Sequence, residues 1–255
     1  MLFDKVIFGP IKSRRLGNSL GVNLLPENGK ICNFDCIYCE CGFNFKDTST
    51  RMPSREYVKE QLEYRLTEFA DKGEPIDTIT FAGNGEPTIH PDFPTIIDDV
   101  MALRDRLAPN AKISVLSNAT QVIKPEVFEA LKKIDNNILK IDSAIEDTLN
   151  IINQPIGRYS LDSIVEKLKK FEGGNLTVQT LFFSGKYEGN TIDNTSDQEV
   201  EAWLKVIEEI RPKSVMLYTL DRPTPAKNLE KASVERLRQI AQMVEDLGIT
   251  TQING

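Results

Sequence analysis

Apolar residues recur along this chain in two rhythms that alternate from end to end. Val58, Leu62, Leu66 and Phe69 fall three or four positions apart, which predicts an amphipathic helix opened by Pro53 and Ser54 and closed before Gly73. Residues 76–82 instead alternate apolar and polar side chains, the period of a strand. The same reading predicts helices over 92–107, 125–133, 161–171, 196–210 and 233–247, with Gly173-Gly174 and Gly248 as stops. It predicts strands over 3–8, 22–25, 112–116, 138–141, 176–183 and 215–220, and a glycine-punctuated basic loop over 9–21. Trp203 is expected as a core anchor of its helix, and His90, the single histidine, as a surface or capping residue. Strand and helix in alternation argue for parallel βαβ units, and about six such units can be counted. No internal repeat, low-complexity segment or composition break marks a second domain.

Composition changes this picture little. The chain has 255 residues, 27% charged and 40% hydrophobic, enough for one α/β domain with a substantial core. Its net charge of −7 argues against a large nucleic-acid surface. No apolar run reaches the length of a membrane span and the first residues do not read as a secretory signal, so no membrane partner is expected.

The chemistry is concentrated in one short stretch. All four cysteines, Cys32, Cys36, Cys39 and Cys41, lie within ten residues. Disulfides among them would close very small loops. Held as thiolates they imply a reducing, cytoplasmic setting. Structural zinc wants four Cys or His ligands, often as two separated pairs, and the remaining candidate outside the stretch is the distant His90. The spacing favours an iron–sulfur centre over zinc.

A second motif, Gly83-Asn84-Gly85-Glu86-Pro87-Thr88, follows the strand at 76–82. Thr88 stands where a dinucleotide fingerprint needs its third glycine. Glycines at a strand end let backbone approach a ligand, and Glu86 adds a carboxylate there. Polar residues recur at the other predicted strand ends: Ser117-Asn118, Asp142-Ser143, Gln179 and Arg222. Singly each reads as a turn or cap; together they favour a shared pocket. Arg14 and Arg15, in the basic loop, suit a carboxylate or phosphate.

Cys32, Cys36 and Cys39 in Cys-x3-Cys-x2-Cys order, with Tyr38 before the third, resemble the signature of radical S-adenosylmethionine enzymes. The string Gly-Pro-x-x-Ser-Arg-Arg-Leu-Gly-x-Ser-Leu-Gly from Gly9 to Gly21 resembles a subgroup of iron–sulfur oxidoreductases related to the wyosine-synthesis enzymes of tRNA modification. The resemblance implies a partial (β/α)6 TIM-type barrel with the cluster loop after its first barrel strand. It implies one radical SAM domain over 1–255, with 1–21 as an N-terminal strand and loop and 22–255 as the barrel. Cys32, Cys36 and Cys39 would hold a [4Fe–4S] cluster whose open iron takes S-adenosyl-L-methionine.

Gly83, Asn84, Gly85 and Glu86 would bind the methionine amine, and backbone near Tyr38 the adenine. Ser117, Asn118, Asp142, Ser143 and Gln179 would complete the cofactor pocket. Arg14, Arg15 and Arg222 would meet a carboxylate or phosphate. The implied reaction is reductive cleavage of S-adenosylmethionine to a 5′-deoxyadenosyl radical that takes hydrogen from an RNA base, a peptide or protein, or a small molecule. It requires an external one-electron reductant of flavodoxin or ferredoxin type. The net charge lends no support to tRNA as the substrate.

The wyosine-synthesis enzymes carry further cysteines for a second cluster, and this chain has only Cys41 left over, most simply a bystander. Cys41 and Arg222 are the candidates for a direct catalytic part. The alternatives are a non-catalytic iron–sulfur electron carrier and a zinc-stabilised binding protein.

Overall fold

The computed structural model describes residues 2–13, 16–45 and 51–254, and its elements divide between two units. The first unit comprises Met1–Cys32, Asn44–Ser117 and Lys124–Asn137; the second comprises Asn33–Phe43, Asn118–Ile123 and Ile138–Gly255.

The first unit opens with strands β1 (Ile7–Ser13) and β2 (Gly17–Val22), paired antiparallel with a register shift between Phe8 and Ile11. This corrects the expected strand over 3–8, the loop over 9–21 and the strand over 22–25. Gly9 and Gly17 both adopt positive φ, which lets the chain kink and turn where the sequence reads as broken. Phe8 lies so close over Gly21 that a Cβ there would overlap its ring. Helix α1 (Arg55–Lys72) follows, capped by the Ser54 side chain and ended by Gly73 in the left-handed region, as its spacing predicts. Strand β3 (Thr78–Phe81), helix α2 (Phe93–Leu107), strand β4 (Lys112–Ser117) and helix α3 (Pro125–Lys133) follow, and strand β5 (Asn136–Lys140) begins in this unit and has its last three residues in the second.

β2, β3 and β4 run parallel in that order, and Val58, Leu62, Leu66, Ile96, Ile97 and Val100 on the helices are buried. A line of side chains crosses the strands from Ser19 through Thr80, Thr78 and Ser114 to Asn136, linked by contacts of 2.7, 3.4, 2.9 and 3.0 Å. These buried hydroxyls satisfy one another.

Helices α1 and α2 are pinned by Asp99, whose carboxylate takes Nε and Nη2 of Arg55 at 2.7 and 3.1 Å and Nζ of Lys59 at 3.3 Å. The hydrogen bond from Arg55 is the main cause that holds the Asp99 carboxyl below its ordinary range. A carboxylate depressed in the folded state stabilises above its unfolded pKa of about 3.9, and that contribution is lost as pH falls through the lower folded value. Asp99→Asn is therefore expected to cost about 1 kcal/mol in urea unfolding at pH 7. The gap to the wild type should close in acid as pH falls through the lowered folded value, and a gap that stayed constant with pH would contradict the assignment.

The second unit contains helices α4 (Glu146–Asn153) and α5 (Leu161–Leu168) and strands β6 (Leu176–Leu181), β7 (Phe183–Tyr187) and β8 (Asn190–Asp193). Helix α6 (Asp197–Ile210), strands β9 (Ser214–Tyr218) and β10 (Asn228–Lys231), helix α7 (Val234–Asp246) and strand β11 (Thr250–Asn254) follow. β9 runs parallel between β6 and β11, and β7 is antiparallel between β10 and β8.

The predicted strand over 176–183 is in fact two, because the chain leaves β6 at Phe182 and turns into a small second sheet. α4, β8, β10 and β11 lie in stretches given no element from the sequence. Trp203 is a core anchor as expected: its indole N–H donates to the Ile141 carbonyl at 3.2 Å, with Thr180 Oγ1 at 3.1 Å. Among the described residues no helix is long and apolar enough to cross a membrane.

Candidate active site

In the first unit the residue before Cys32 is joined to the glycine motif. Ile31 and Gly85 form a parallel bridge, the Ile31 amide donates to the Asn84 carbonyl at 3.0 Å, and the Glu86 amide donates to the Ile31 carbonyl at 3.1 Å. Gly85 has φ of 132°, and a Cβ on it would run into the Ile31 carbonyl. Gly83 has φ of 153°, and a Cβ there would meet the Asn23 side chain. Both glycines are thus required by backbone conformation and close approach. The Cys32 amide is held by Asn44 Oδ1 at 2.8 Å.

Glu86 is buried and turns its Oε1 to the amide and hydroxyl of Thr88, at 3.1 and 2.5 Å, opening the short 3-10 turn Pro87–Ile89. Asn84, expected at the cofactor, is engaged elsewhere. Its Nδ2 donates to the carbonyls of Phe3 and Pro26 at 2.8 and 2.7 Å, and its Oδ1 accepts the Phe3 amide at 2.8 Å. The side chain ties the N-terminal stretch to the motif, which leaves the glycine backbone and Glu86 as the parts suited to a ligand. Ser117 is buried at the end of β4. His90 is buried rather than at the surface, with Nδ1 accepting the Asp92 amide at 3.1 Å and Nε2 2.9 Å from the Pro53 carbonyl. Arg14 and Arg15 lie outside the described residues.

The second unit holds the rest of the cysteine loop. Successive turns wind it, with the Cys39 amide on the Cys36 carbonyl at 3.0 Å and the Gly42 amide on the Cys39 carbonyl at 2.9 Å. The loop is fastened to the end of α4 by the Asp35 and Ile37 amides, which donate to the carbonyls of Asn153 and Ile152 at 2.9 and 3.0 Å. Around Cys36 stands a cluster that the strand pattern does not reveal. Lys140 Nζ lies 2.9 Å from Cys36 Sγ, 3.0 Å from the Tyr38 hydroxyl and 3.3 Å from Asp142 Oδ2. It also sits over the rings of Phe34 and Tyr38 at 4.8 and 5.3 Å from their centroids.

Asp142 accepts the Tyr38 hydroxyl, Asn153 Nδ2 at 2.7 Å and the Leu181 amide at 3.1 Å. Burial alone would push the Lys140 ammonium down, but the negative charge of Cys36 and Asp142 outweighs it and holds the group above its ordinary value. Burial, reinforced by the Asp142 charge, pushes the Tyr38 phenol well up.

The other expected residues are placed as follows. Asn118 donates to Asn33 Oδ1 at 2.7 Å and accepts the amide and hydroxyl of Thr120 at 3.1 and 2.7 Å. Ser143 donates to Glu199 Oε2 at 2.7 Å and accepts the Ile145 amide at 2.9 Å, which sets up the start of α4. Gln179 is buried within β6, not at its end, because the strand runs two residues further than its side chain. Arg222 pairs with Glu40, the residue before Cys41, at 2.8 Å, both side chains being more than half exposed. The sequence missed Lys140 and Asn153; the one available signal was a lysine two positions before Asp142 at a strand end, a spacing that puts both on one side of a strand.

The donor set fits an iron–sulfur centre. None of the four cysteines is in a disulfide, and the Cys36 sulfur meets the Lys140 ammonium at 2.9 Å and the Asn153 side-chain N–H at 3.5 Å. Among the described residues no three His, Cys, Asp or Glu side chains are gathered tightly enough to hold a single metal ion. Thiolates on separate irons of a cluster need not be so close.

The chain is 29% identical to a UPF0026 protein of Methanocaldococcus jannaschii over 95% of its own length and 72% of that protein's. It is 31% identical to a Brachyspira hyodysenteriae protein named GTPase Obg over 93% of its own length, but spans only 34% of that longer chain. In fold it superposes on a radical SAM methyltransferase from Sphaerobacter thermophilus with a TM-score of 0.67, at 17% identity over 92% of this chain and 65% of that one. It superposes on Streptococcus suis SuiB bound to S-adenosylmethionine with a TM-score of 0.65, at 15% identity over 92% and 50%. For TYW1 with a lysine–pyruvate adduct the TM-score is 0.63, at 13% identity over 89% and 73%. The fold is therefore α/β, of the partial TIM-type half-barrel class that the resemblance implies. The model of the radical SAM superfamily matches residues 29–195, more than half of the sequence, so the chain belongs to the radical SAM superfamily, whose enzymes use a [4Fe–4S] cluster and S-adenosylmethionine.

Proposed function

We propose that this chain is a radical SAM iron–sulfur oxidoreductase in which Cys32, Cys36 and Cys39 ligate one cluster and the two units work as a single domain. The observation that carries the reading is the bridge between Ile31 and Gly85, which sets the residue before Cys32 beside the Gly85–Glu86 backbone. When bound, the cluster and S-adenosylmethionine supply a one-electron cleavage of the sulfonium that leads to hydrogen abstraction from a substrate. The chain's own groups bind and orient. Glu86 receives the methionine amine, and the Gly83–Gly85 turn, packed against Asn23 and Ile31, holds it in position. Backbone at Tyr38 borders the adenine, while Ser117 at the end of β4 and Asn118 just after it offer polar contacts; Gln179, buried within β6, is not among them. Asp142 positions Tyr38 by accepting its hydroxyl, whereas Ser143 is engaged by Glu199 and Ile145 and Asn84 by Phe3 and Pro26.

A flavodoxin- or ferredoxin-type reductant in the cytoplasm would supply the electron. The hydrogen donor is an RNA base, a peptide or protein, or a small molecule, since one fold hosts many reactions. Anaerobically purified protein is expected to contain iron and sulfide and, once reduced, to release 5′-deoxyadenosine from S-adenosylmethionine. Zinc without sulfide would overturn the reading, and a cluster that never yields 5′-deoxyadenosine would make the chain an electron carrier. Glu86→Gln keeps an acceptor for Thr88 and removes the charge. It should raise the S-adenosylmethionine Kd about 10- to 100-fold with cluster content unchanged, and an unchanged Kd would remove Glu86 from the amine site.

A further inference from the structure

The cluster of groups at Cys36 is more than the ligation of a metal requires. We infer that Lys140 sets the reduction potential of the iron–sulfur centre that Cys36 ligates, by holding a cation and an N–H donor against the Cys36 sulfur. The inference rests on the function proposed above.

Reduction adds one electron, taken from the external reductant, and part of the added negative charge resides on the ligating sulfurs. Hydrogen bonds to the sulfurs, local charge and solvent exposure are the levers a protein has on this potential. Lys140 applies all three. Its Nζ is 2.9 Å from Sγ, its charge is of the sign that favours the reduced form, and its side chain is only 13% exposed, where water screens little. Asn153 Nδ2 adds a second, longer donor at 3.5 Å.

The ammonium is held in place by the Tyr38 hydroxyl at 3.0 Å and by the ring faces of Phe34 and Tyr38. Asp142 stands behind it, but that carboxylate already accepts from Tyr38, Asn153 and the Leu181 amide. Its negative charge is therefore spread over several donors, while the lysine charge faces the sulfur. A lysine serving only to neutralise Asp142 would not need to reach Cys36.

The test is a redox titration, followed by electron paramagnetic resonance, of the cluster-loaded protein without S-adenosylmethionine. Lys140→Met, and Lys140→Gln with a neutral donor, should each shift the reduction equilibrium at least about tenfold toward the oxidised state. For a one-electron couple that is about 59 mV more negative. Lys140→Arg, which keeps charge and donors, should stay near the wild type. A Met or Gln variant that holds its cluster at the wild-type potential overturns the inference. Loss of the cluster from both neutral variants but not from Lys140→Arg supports a required cation at the sulfur. Loss from all three overturns it, by assigning Lys140 to folding. A wild-type protein without iron and sulfide would instead fail the proposed function itself, before any variant is compared.

Discussion

Cys36→Ala protein, purified anaerobically, is expected to fold and to carry iron and sulfide only at background level. 5′-deoxyadenosine formation should fall roughly a hundredfold or more, since a catalytic metal site contributes several kcal/mol and each 1.36 kcal/mol is tenfold in rate. Folding should survive because the neighbours of the lost sulfur keep other partners. Lys140 retains Asp142 at 3.3 Å and the Tyr38 hydroxyl at 3.0 Å, and Asn153 retains Asp142 at 2.7 Å. The loop is held by backbone bonds from Asp35, Ile37 and Cys39 that need no thiol. Circular dichroism would show the fold and colorimetric iron and sulfide assays the cluster. Cys32→Ala and Cys39→Ala should behave alike, whereas Cys41→Ala should keep its iron, because three thiolates leave one iron open for S-adenosylmethionine. Wild-type iron and sulfide in Cys36→Ala, or their loss in Cys41→Ala, would overturn the ligand assignment.

Gly85→Ala is expected to lower the urea midpoint severely, by the equivalent of about 3 kcal/mol or more. The residue has φ of 132°, a region that side chains avoid, which alone costs about 1–3 kcal/mol. The added Cβ would also strike the Ile31 carbonyl, and backbone gives way less readily than a flexible side chain. That same carbonyl accepts the Glu86 amide at 3.1 Å, and Cys32 is the next residue, so relief of the clash would move both motifs. Gly173→Ala is the control. Gly173 has φ of 72° and a Cβ there would meet nothing within 4 Å, so only the left-handed penalty of about 1–2 kcal/mol applies. Equal losses in the two variants would mean that the close approach at Gly85 carries no weight.

Features whose physics is local could be read without coordinates. Ser54 and Gly73 bound α1 because a hydroxyl cap and a left-handed glycine act within one turn of chain. Pro125 and Lys133 bound α3 at the expected residues. The cysteine triad and the Gly83–Glu86 motif were legible for the same reason, since their chemistry depends on short spacings along one stretch. Other features depend on what a distant segment does. β11, Thr250–Asn254, has no strong pattern of its own and is a strand because β9 pairs with it. β7 and β8 turn through Glu188 and Gly189, both at positive φ, and a Glu-Gly pair is a weak hairpin signal.

The charge on Lys140 was visible in the chain as a polar residue ending a strand, but the sulfur it touches lies 104 positions away. Asn84 and Ser143 show the converse, with side chains that read as ligand contacts and are engaged by protein groups. Type, spacing and local propensity therefore name the candidate groups for chemistry. Long-range pairing alone settled which of them face one another, because register and burial are properties of two segments and are encoded in neither.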